Sequence, residues 1–174
     1  MITHEDVSEI FKSINIVAES DTPFLQANKF EIIIDLLTLL LDKELTREEI
    51  TANYQFDERQ TSYYTDAARY LGLMDKYVDP NTREITFRLS DEGSYLLKKR
   101  YKIKILSLIE KILQHQVFYK TFEFTLSNGF IPDINEIHQI MQSCSLNINI
   151  TTIKRRSSTV RGWIGWIVNM LSEE

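Results

Sequence analysis

Residues 57–72, DERQTSYYTDAARYLG, decide how the rest of this chain is interpreted. Asp57 is followed three residues later by Gln60, and this pair predicts a capping box at the start of a helix. Positions expected to face the core recur at helical spacing: Tyr64, Ala68 and Leu71. Gly72 is typical of the residue that follows the end of a helix. The stretch therefore predicts an amphipathic helix that runs to about Leu71.

Two helices are predicted before this one. Residues 29–41 carry an apolar stripe at helical spacing: Phe30, Ile33, Ile34, Leu37, Leu40 and Leu41. Thr46 and Glu49 have the spacing of a second capping box, and Leu45 and Ile50 flank it as a hydrophobic staple would. A core helix and a short second helix are therefore expected.

A two-stranded hairpin and a fourth helix are predicted after Gly72. Residues 73–78 and 83–89 flank the turn Asp79-Pro80-Asn81-Thr82, and apolar and polar residues alternate through the second segment. Ser90 then begins a helix that ends in Lys98-Lys99-Arg100. Helix, helix, helix, hairpin and helix is the order of a winged helix-turn-helix, in which the third helix can enter the major groove and the hairpin can touch the backbone.

The second half predicts another helical module. A helix is expected over residues 102–117, residues 118–126 fit either a helix or a strand, and Asn128-Gly129 breaks the pattern. Asp133 and Glu136 predict a capped helix that buries Ile137, Met141 and Cys144. We expect a mainly α fold with a small β-hairpin wing, divided into an N-terminal extension (1–24), a winged-helix module (25–100) and a second helix-turn-helix-like module (101–174).

The terminal helix, residues 151–171, separates an apolar face from a basic one. The expected core face contains Ile153, Val160, Trp163, Ile164, Ile167 and Leu171, and the other face contains Lys154, Arg155, Ser158, Arg161 and Gly165. Arg156 is expected nearer the core margin. Trp163 and Trp166 are predicted to anchor the helix against the first helix of its module, and Gly162 and Gly165 to mark a close packing contact. A solvated charged face is the alternative interpretation.

Charge is distributed unevenly along the chain, whose net charge is −5. Residues 1–100 have 12 Lys and Arg against 19 Asp and Glu, a net −7, whereas residues 101–174 have 8 against 6, a net +2. Lys154, Arg155, Arg156 and Arg161 supply half of the later basic residues with no acid between them. DNA binding depends on such a local patch rather than on the sign of the whole chain.

Several other classes of protein are not expected. Cys144 is the single cysteine and His4, His115 and His138 are scattered, so no disulfide framework, zinc site or cofactor is predicted, and Cys144 is expected to be a core thiol. No phosphate-cradling glycine loop or nucleophile elbow is present. The apolar run of residues 32–41 is too short to cross a bilayer, and the first residues lack a secretion signal, which indicates a cytoplasmic protein without a membrane partner.

Two segments resemble a known family. Arg59-Gln60-x-x-Tyr63-Tyr64-x-x-Ala67-Ala68-Arg69-Tyr70-Leu71-Gly72-Leu73 and Arg155-Arg156-Ser157-Ser158-Thr159-Val160-x-Gly162-Trp163-Ile164-x-Trp166-Ile167 together resemble a winged-helix-type region of some type II restriction endonucleases, over residues 25–171. The resemblance implies a DNA-recognition or accessory region. The chain lacks the Pro-Asp and Asp/Glu-x-Lys pattern that holds magnesium in such nucleases, so we expect no enzyme activity from it.

Duplex DNA is the leading predicted partner. Lys154, Arg155 and Arg161 are predicted to contact phosphates or guanine edges, and Ser157 and Ser158 to donate short hydrogen bonds. The residues predicted to meet DNA at the first module are Arg59, Gln60, Tyr63, and, in the wing, Arg83 and Arg88. The alternatives are a transcriptional regulator and a winged-helix interaction module that dimerises or binds a nuclease or methyltransferase. Glu58 and Asp66 favour the interaction module, because they would repel phosphate.

Overall fold

A computed structural model of the chain describes residues 1–24, 26–144, 146 and 148–171. It is mainly helical, and its described part contains one small antiparallel sheet of three strands. The elements are α1 (His4–Ser13), α2 (Phe30–Leu39), β1 (Leu45–Thr46), α3 (Arg47–Tyr54), α4 (Glu58–Tyr70), β2 (Met74–Val78), β3 (Ile85–Leu89), α5 (Asp91–Leu97), α6 (Tyr101–Leu113), α7 (Gln116–Asn128), α8 (Ile134–Ser143) and α9 (Ile150–Met170).

The chain forms two compact units. One is Ser20–Lys99 and the other joins Met1–Glu19 to the chain from Arg100 onward. The first unit nearly coincides with the predicted module of residues 25–100. The predicted N-terminal extension is divided, because residues 1–19 pack with the second unit.

Local signals determine the helix ends of the unit Ser20–Lys99. The capping box at α4 is confirmed: the Asp57 carboxylate accepts the Gln60 N–H at 2.8 Å and the Gln60 side chain accepts the Asp57 N–H at 3.1 Å. At α3 the Thr46 hydroxyl accepts the Glu49 N–H at 3.2 Å, while the Glu49 carboxylate lies 3.8 Å from the Lys43 amine. Gly72 follows α4 with φ +74°, the left-handed conformation expected of it.

The predicted hairpin is confirmed and is joined by a third strand. β2 and β3 pair in antiparallel register from Met74↔Leu89 to Val78↔Ile85. The Asp79 carboxylate closes the turn by accepting hydrogen bonds from two backbone N–H groups. Arg83, the residue after the turn, has φ +63°. The sequence pattern missed β1, whose two residues pair with the other edge of β3. A strand of two residues is too short to show an alternating pattern.

The core of this unit lies between α2, α4 and the sheet. Its largest fully buried side chains are Phe24, Phe30, Ile33, Leu36, Leu37, Ile50, Leu73 and Phe87. α5 approaches so closely that a Cβ on Gly93 would lie 2.2 Å from the Leu73 carbonyl oxygen. The predicted fourth helix is therefore held by direct backbone packing.

Five helices form the described part of the other unit, and the predicted helix over residues 102–117 is wrong in its extent. The chain leaves helical geometry at His115, which has φ −91° and ψ 128°, so α6 and α7 are separate helices. The ambiguous residues 118–126 are helical and belong to α7. Gly129 ends α7 with φ +75°, as the Asn128-Gly129 break predicts.

The sequence analysis also missed α1. Thr3 and Asp6 form a reciprocal capping box at its start. The helix packs on α6 through an ion pair of 2.9 Å between the Asp6 carboxylate and the Lys102 amine. Phe11 stacks on Tyr119 of α7 with ring centroids 4.5 Å apart. α1 is thus a structural element of this unit.

None of the helices in the described ranges is both long enough and apolar enough to cross a bilayer.

Candidate nucleic-acid interface

α9 is fixed in the core along one side. The Asn149 side chain caps it by accepting the Thr152 N–H at 2.9 Å. Trp163 is fully buried and Trp166 is 3% exposed, so the prediction that both face the core is confirmed. Trp163 stacks on Phe118 with ring centroids 4.9 Å apart. This ring partner lies in α7, whereas the contact was predicted with the first helix of the module.

The opposite side of α9 exposes cations. Lys154, Arg155 and Arg161 are exposed and Ser158 is half-exposed; we call these four residues the basic face. Lys154, Ser158 and Arg161 follow one another at intervals of four and three positions, and Arg155 lies three positions before Ser158, which places the four residues on one side of the helix. No Asp or Glu occurs between Ile150 and Met170. The basic face therefore has a positive charge that no acid on its own helix offsets.

Burial excludes Ser157 from the predicted contact with DNA. Its side chain has no exposed surface, and its hydroxyl donates to the Ile153 carbonyl at 2.7 Å. The Met141 sulfur lies 3.6 Å from the same hydroxyl. Residue 157 lies four positions after the buried Ile153 and three before the buried Val160, so helical geometry puts it on the core side. Arg156, beside it, is half-buried, as expected of a residue at the core margin.

Gly165 shows no close packing in the described structure. It is half-exposed, and a Cβ there would come no closer to another residue than 3.8 Å, at Ile131 Cδ1. The predicted tight contact at Gly165 is therefore wrong within the part of the chain that the structure describes.

α8 packs against α9, and its acidic residues lie at the end of α8 that is farther along the chain from α9. The predicted capping box of α8 is confirmed, with Asp133 and Glu136 exchanging two hydrogen bonds of 2.8 Å. Both acids stand at the first turn of α8, whereas residues 144–149 lead from its last turn to α9. A helix of this length extends about 15 Å. The acids are thus separated from the connection by most of the length of α8.

Tertiary structure adds a cation that sequence analysis missed. Lys120 is half-exposed on α7, and its amine lies 3.3 Å from the hydroxyl of Ser143, the last residue of α8. Six residues separate Ser143 from Ile150, the first residue of α9. Lys120 is an isolated lysine in the stretch that had no clear secondary-structure pattern. Only the packing of α7 on α8 reveals its position.

A further run of cations had a clear signal in the sequence. Lys98, Lys99, Arg100, Lys102 and Lys104 contain no acid between them. The first three of these residues were interpreted only as the end of a helix. In the structure the Lys99 amine lies over the Tyr95 ring at 4.8 Å, and Lys102 pairs with Asp6. Two of these cations therefore already have partners within their own units.

The predicted DNA contacts of the other unit lie at two places. Arg59 and Gln60 are exposed on the first turn of α4, and Tyr63 is half-exposed one turn later. The side-chain amide oxygen of Gln60 already accepts the Asp57 N–H in the capping box. The hairpin exposes Arg83 in its turn and Arg88 on β3.

Two of the arginines predicted to meet DNA, Arg88 and Arg59, have acidic neighbours. The Arg88 guanidinium lies 4.9 Å from the Tyr77 ring centroid, and its Nε is 3.9 Å from the Asp75 carboxylate. Glu58 is exposed beside Arg59, whereas Asp66 is half-buried and pairs with Arg69 at 3.1 Å. Burial raises the pKa of Asp66 against the opposing pull of Arg69. Glu58 is therefore more exposed to a binding partner than Asp66.

Metal and thiol chemistry receive no support from the described residues. No group of three His, Cys, Asp or Glu side chains comes together there in a way that could hold a metal ion. Cys144 is 3% exposed, and burial raises the pKa of its thiol. The prediction that Cys144 is a core residue is confirmed.

One family profile matches most of the chain. The sequence profile of a family described as a domain of unknown function, DUF7226, matches residues 32–172. Neither a curated protein nor a solved structure matches the chain.

Proposed function

The chain belongs to the DUF7226 family, a domain of unknown function, and we propose that it binds duplex DNA through the basic face of α9. One observation carries the proposal: Lys154, Arg155 and Arg161 are exposed on a helix that has no acid and whose opposite side is fixed in the core by Trp163. A rigid helix can hold cations at the spacing of phosphates without ordering a mobile segment first.

The position of the cations along α9 supports a phosphate contact. Lys154 and Arg155 lie just beyond its first turn, close to the unpaired backbone N–H groups and the positive end of the helix dipole, whereas Arg161 lies near the middle of the helix. α8, the connection and α9 correspond to a helix-turn-helix in which α9 is the recognition helix. Ser158 lies between Arg155 and Arg161 along the helix and would then donate a short hydrogen bond to the DNA.

We extend the proposal to the unit Ser20–Lys99 as a winged helix-turn-helix. Its order α2, α3, α4, hairpin and α5 supports this assignment, and its caps lie where that fold requires helix starts. Arg59, Gln60 and Tyr63 would meet DNA at α4, and Arg83 and Arg88 in the hairpin. Arg88 has to share its charge with Asp75, so we assign it a smaller contribution than Arg83.

The proposed biological role is recognition without catalysis. The resemblance of residues 25–171 to a region of type II restriction endonucleases supports an accessory or recognition part of a restriction-type system. A nuclease or methyltransferase partner would then supply the chemistry. We expect no cleavage when the chain alone is incubated with plasmid and magnesium.

The decisive experiment compares two double variants in a fluorescence-anisotropy titration of labelled duplex DNA. Arg155→Ala with Arg161→Ala should raise the Kd about tenfold or more and reduce the slope of log K against log salt by about 2, because each lost phosphate contact removes about 0.9. The control is the double variant Lys12→Ala and Lys111→Ala, which removes the same charge from other helices of the same unit. It should change the Kd and the salt slope much less. Equal weakening by both pairs would show that net charge, and not the basic face, binds the duplex.

A protein-docking role is the second candidate, and the charge of the unit Ser20–Lys99 favours it. That unit has 10 Lys and Arg against 15 Asp and Glu, a net −5, and it exposes Glu58 on α4. Such a surface suits a basic protein partner better than phosphate. Light scattering and a pull-down test this role: a stable protein complex without measurable duplex binding would favour docking.

A further inference from the structure

A polar groove of about 420 Å³ lies in the unit Ser20–Lys99, where the end of α4 meets the base of the β2–β3 hairpin. Arg69 enters it from the last turn of α4, Lys76 from β2 and Arg88 from β3, and Thr22 lines another part of the wall. It contains neither Arg59 nor Arg83, but it shares Arg88 with the hairpin residues assigned above to DNA contact.

The groove is positive although its unit is acidic. The charged residues of its lining are Arg69, Lys76 and Arg88 against Asp75, a net +2, within a unit whose net charge is −5. Asp66 and Asp75 offset part of the charge of Arg69 and Arg88, and an anion bound in the groove would offset the remainder. The lining is therefore complementary to an anionic ligand.

Acidic and aromatic neighbours hold the two guanidinium groups in place. Asp66, which does not line the groove, accepts one hydrogen bond of 3.1 Å from Arg69 Nη1. Arg88 lies over the Tyr77 ring, and its 3.9 Å separation from Asp75 exceeds a hydrogen-bond distance. A guanidinium carries several N–H donors in a fixed fork. Both forks are thus positioned by neighbours that use few of those donors.

We propose that this groove binds the phosphate group of a small ligand about the size of a nucleoside monophosphate. Two guanidinium forks and an ammonium are the side chains that recognise a phosphate dianion best, by paired hydrogen bonds and by charge. The volume lies within the range of small-ligand pockets, about 300–1,000 Å³. The proposal concerns a different unit from the basic face of α9 and does not depend on duplex binding there.

The test is an NMR titration of the full chain with inorganic phosphate and, separately, with adenosine monophosphate. Saturable shifts should be confined to signals of Arg69, Lys76, Arg88 and their backbone neighbours. A nucleotide that binds more tightly than inorganic phosphate would show that the rest of the groove contributes, whereas equal affinities would assign the site to free phosphate. Absence of saturable shifts up to about 10 mM of either probe would overturn the proposal.

Matched lysine variants make the titration specific. Lys76→Gln should weaken binding of the better probe at least about fivefold, because it removes one of three cations while Asp66 and Asp75 keep their arginine partners. Lys43→Gln is the control, since Lys43 is an exposed lysine of the same unit outside the groove. Arg69→Gln is less suitable because it also leaves the half-buried Asp66 without its partner. Equal effects of the two lysine variants, or groove shifts caused only by duplex DNA, would refute a small-ligand site.

Discussion

Gly93 illustrates how a single residue can limit the fold. A Cβ at this position would lie 2.2 Å from the Leu73 carbonyl oxygen, and that atom belongs to the backbone and also accepts the Ser90 N–H at 3.1 Å. A methyl group therefore has to push α5 away from the start of β2. We expect Gly93→Ala to lower the free energy of unfolding by about 1–3 kcal/mol, measured by urea denaturation.

Gly165→Ala is the control for that prediction, because both glycines are helical. The nearest atom to a Cβ at Gly165 is Ile131 Cδ1 at 3.8 Å, an ordinary contact. We expect this variant to raise the free energy of unfolding by up to about 1 kcal/mol, the difference in helix propensity between the two residues. If both variants changed stability alike, steric contact with Leu73 would not be the cause.

Trp163 is the residue on which the position of α9 depends most. It has no exposed surface and stacks on Phe118. We expect Trp163→Ala to reduce the free energy of unfolding by about 3–5 kcal/mol, through lost burial and the cavity left behind, with a smaller loss for Trp163→Phe. Thermal and urea unfolding measure both. A Trp163→Ala protein that melts like the wild type but no longer binds DNA would instead identify the ring as a ligand platform.

At the scale of elements, the attachment of α1 to α6 should depend on pH. The Lys102 amine, followed by hydrogen bonds from Thr3, lowers the pKa of Asp6 from its ordinary value of 3.8 to about 2. A lowered pKa means that the carboxylate stabilises the folded state fully above about 3.8, and that this contribution is lost as the pH falls through about 2. NMR signals of α1 should therefore change in acid over that interval.

Lys102→Met tests the assigned cause of this pKa shift. Removing the amine should return the pKa of Asp6 part of the way toward 3.8, as followed by its side-chain carbon shift, because the hydrogen bonds from Thr3 remain. Lys12→Met, on α1 itself, should leave the pKa of Asp6 unchanged. A shift that persists in full in Lys102→Met would assign the low pKa to the Thr3 capping box alone.

Helix starts have local sequence signals in this chain, whereas the break between α6 and α7 does not. Capping boxes at Asp57 and Asp133 identified two helix starts correctly, because both partners lie within one turn. The break between α6 and α7 has no Gly or Pro to mark it. There, the Gln114 carbonyl accepts the Val17 N–H at 2.9 Å, and the His115 ring lies 3.5 Å from the Glu19 carboxylate. Distant residues thus stabilise the break, and a window along the sequence contains none of them.

At the scale of the whole molecule, net charge describes neither unit well. The total of −5 comes from the unit Ser20–Lys99, because the remaining residues have 10 Lys and Arg against 10 Asp and Glu. The basic face lies in the neutral part, and the cationic groove lies in the acidic one. Affinity for an anion follows the field at the surface that meets it, so both proposals concern local surfaces.

Local patterns along the chain correctly predicted the helical character, the hairpin, most helix starts and the two sides of α9. These follow from periodicity and from hydrogen bonds between residues a few positions apart. Tertiary structure alone decided the place of α1, the pairing of β1 with β3, the partner of Trp163 and the positions of Lys120 and of the groove. Each of these depends on residues far apart in the chain, whose contacts form only when the core packs. Ser157 is intermediate: its helical position already indicated burial, but the pattern of cations around it favoured exposure.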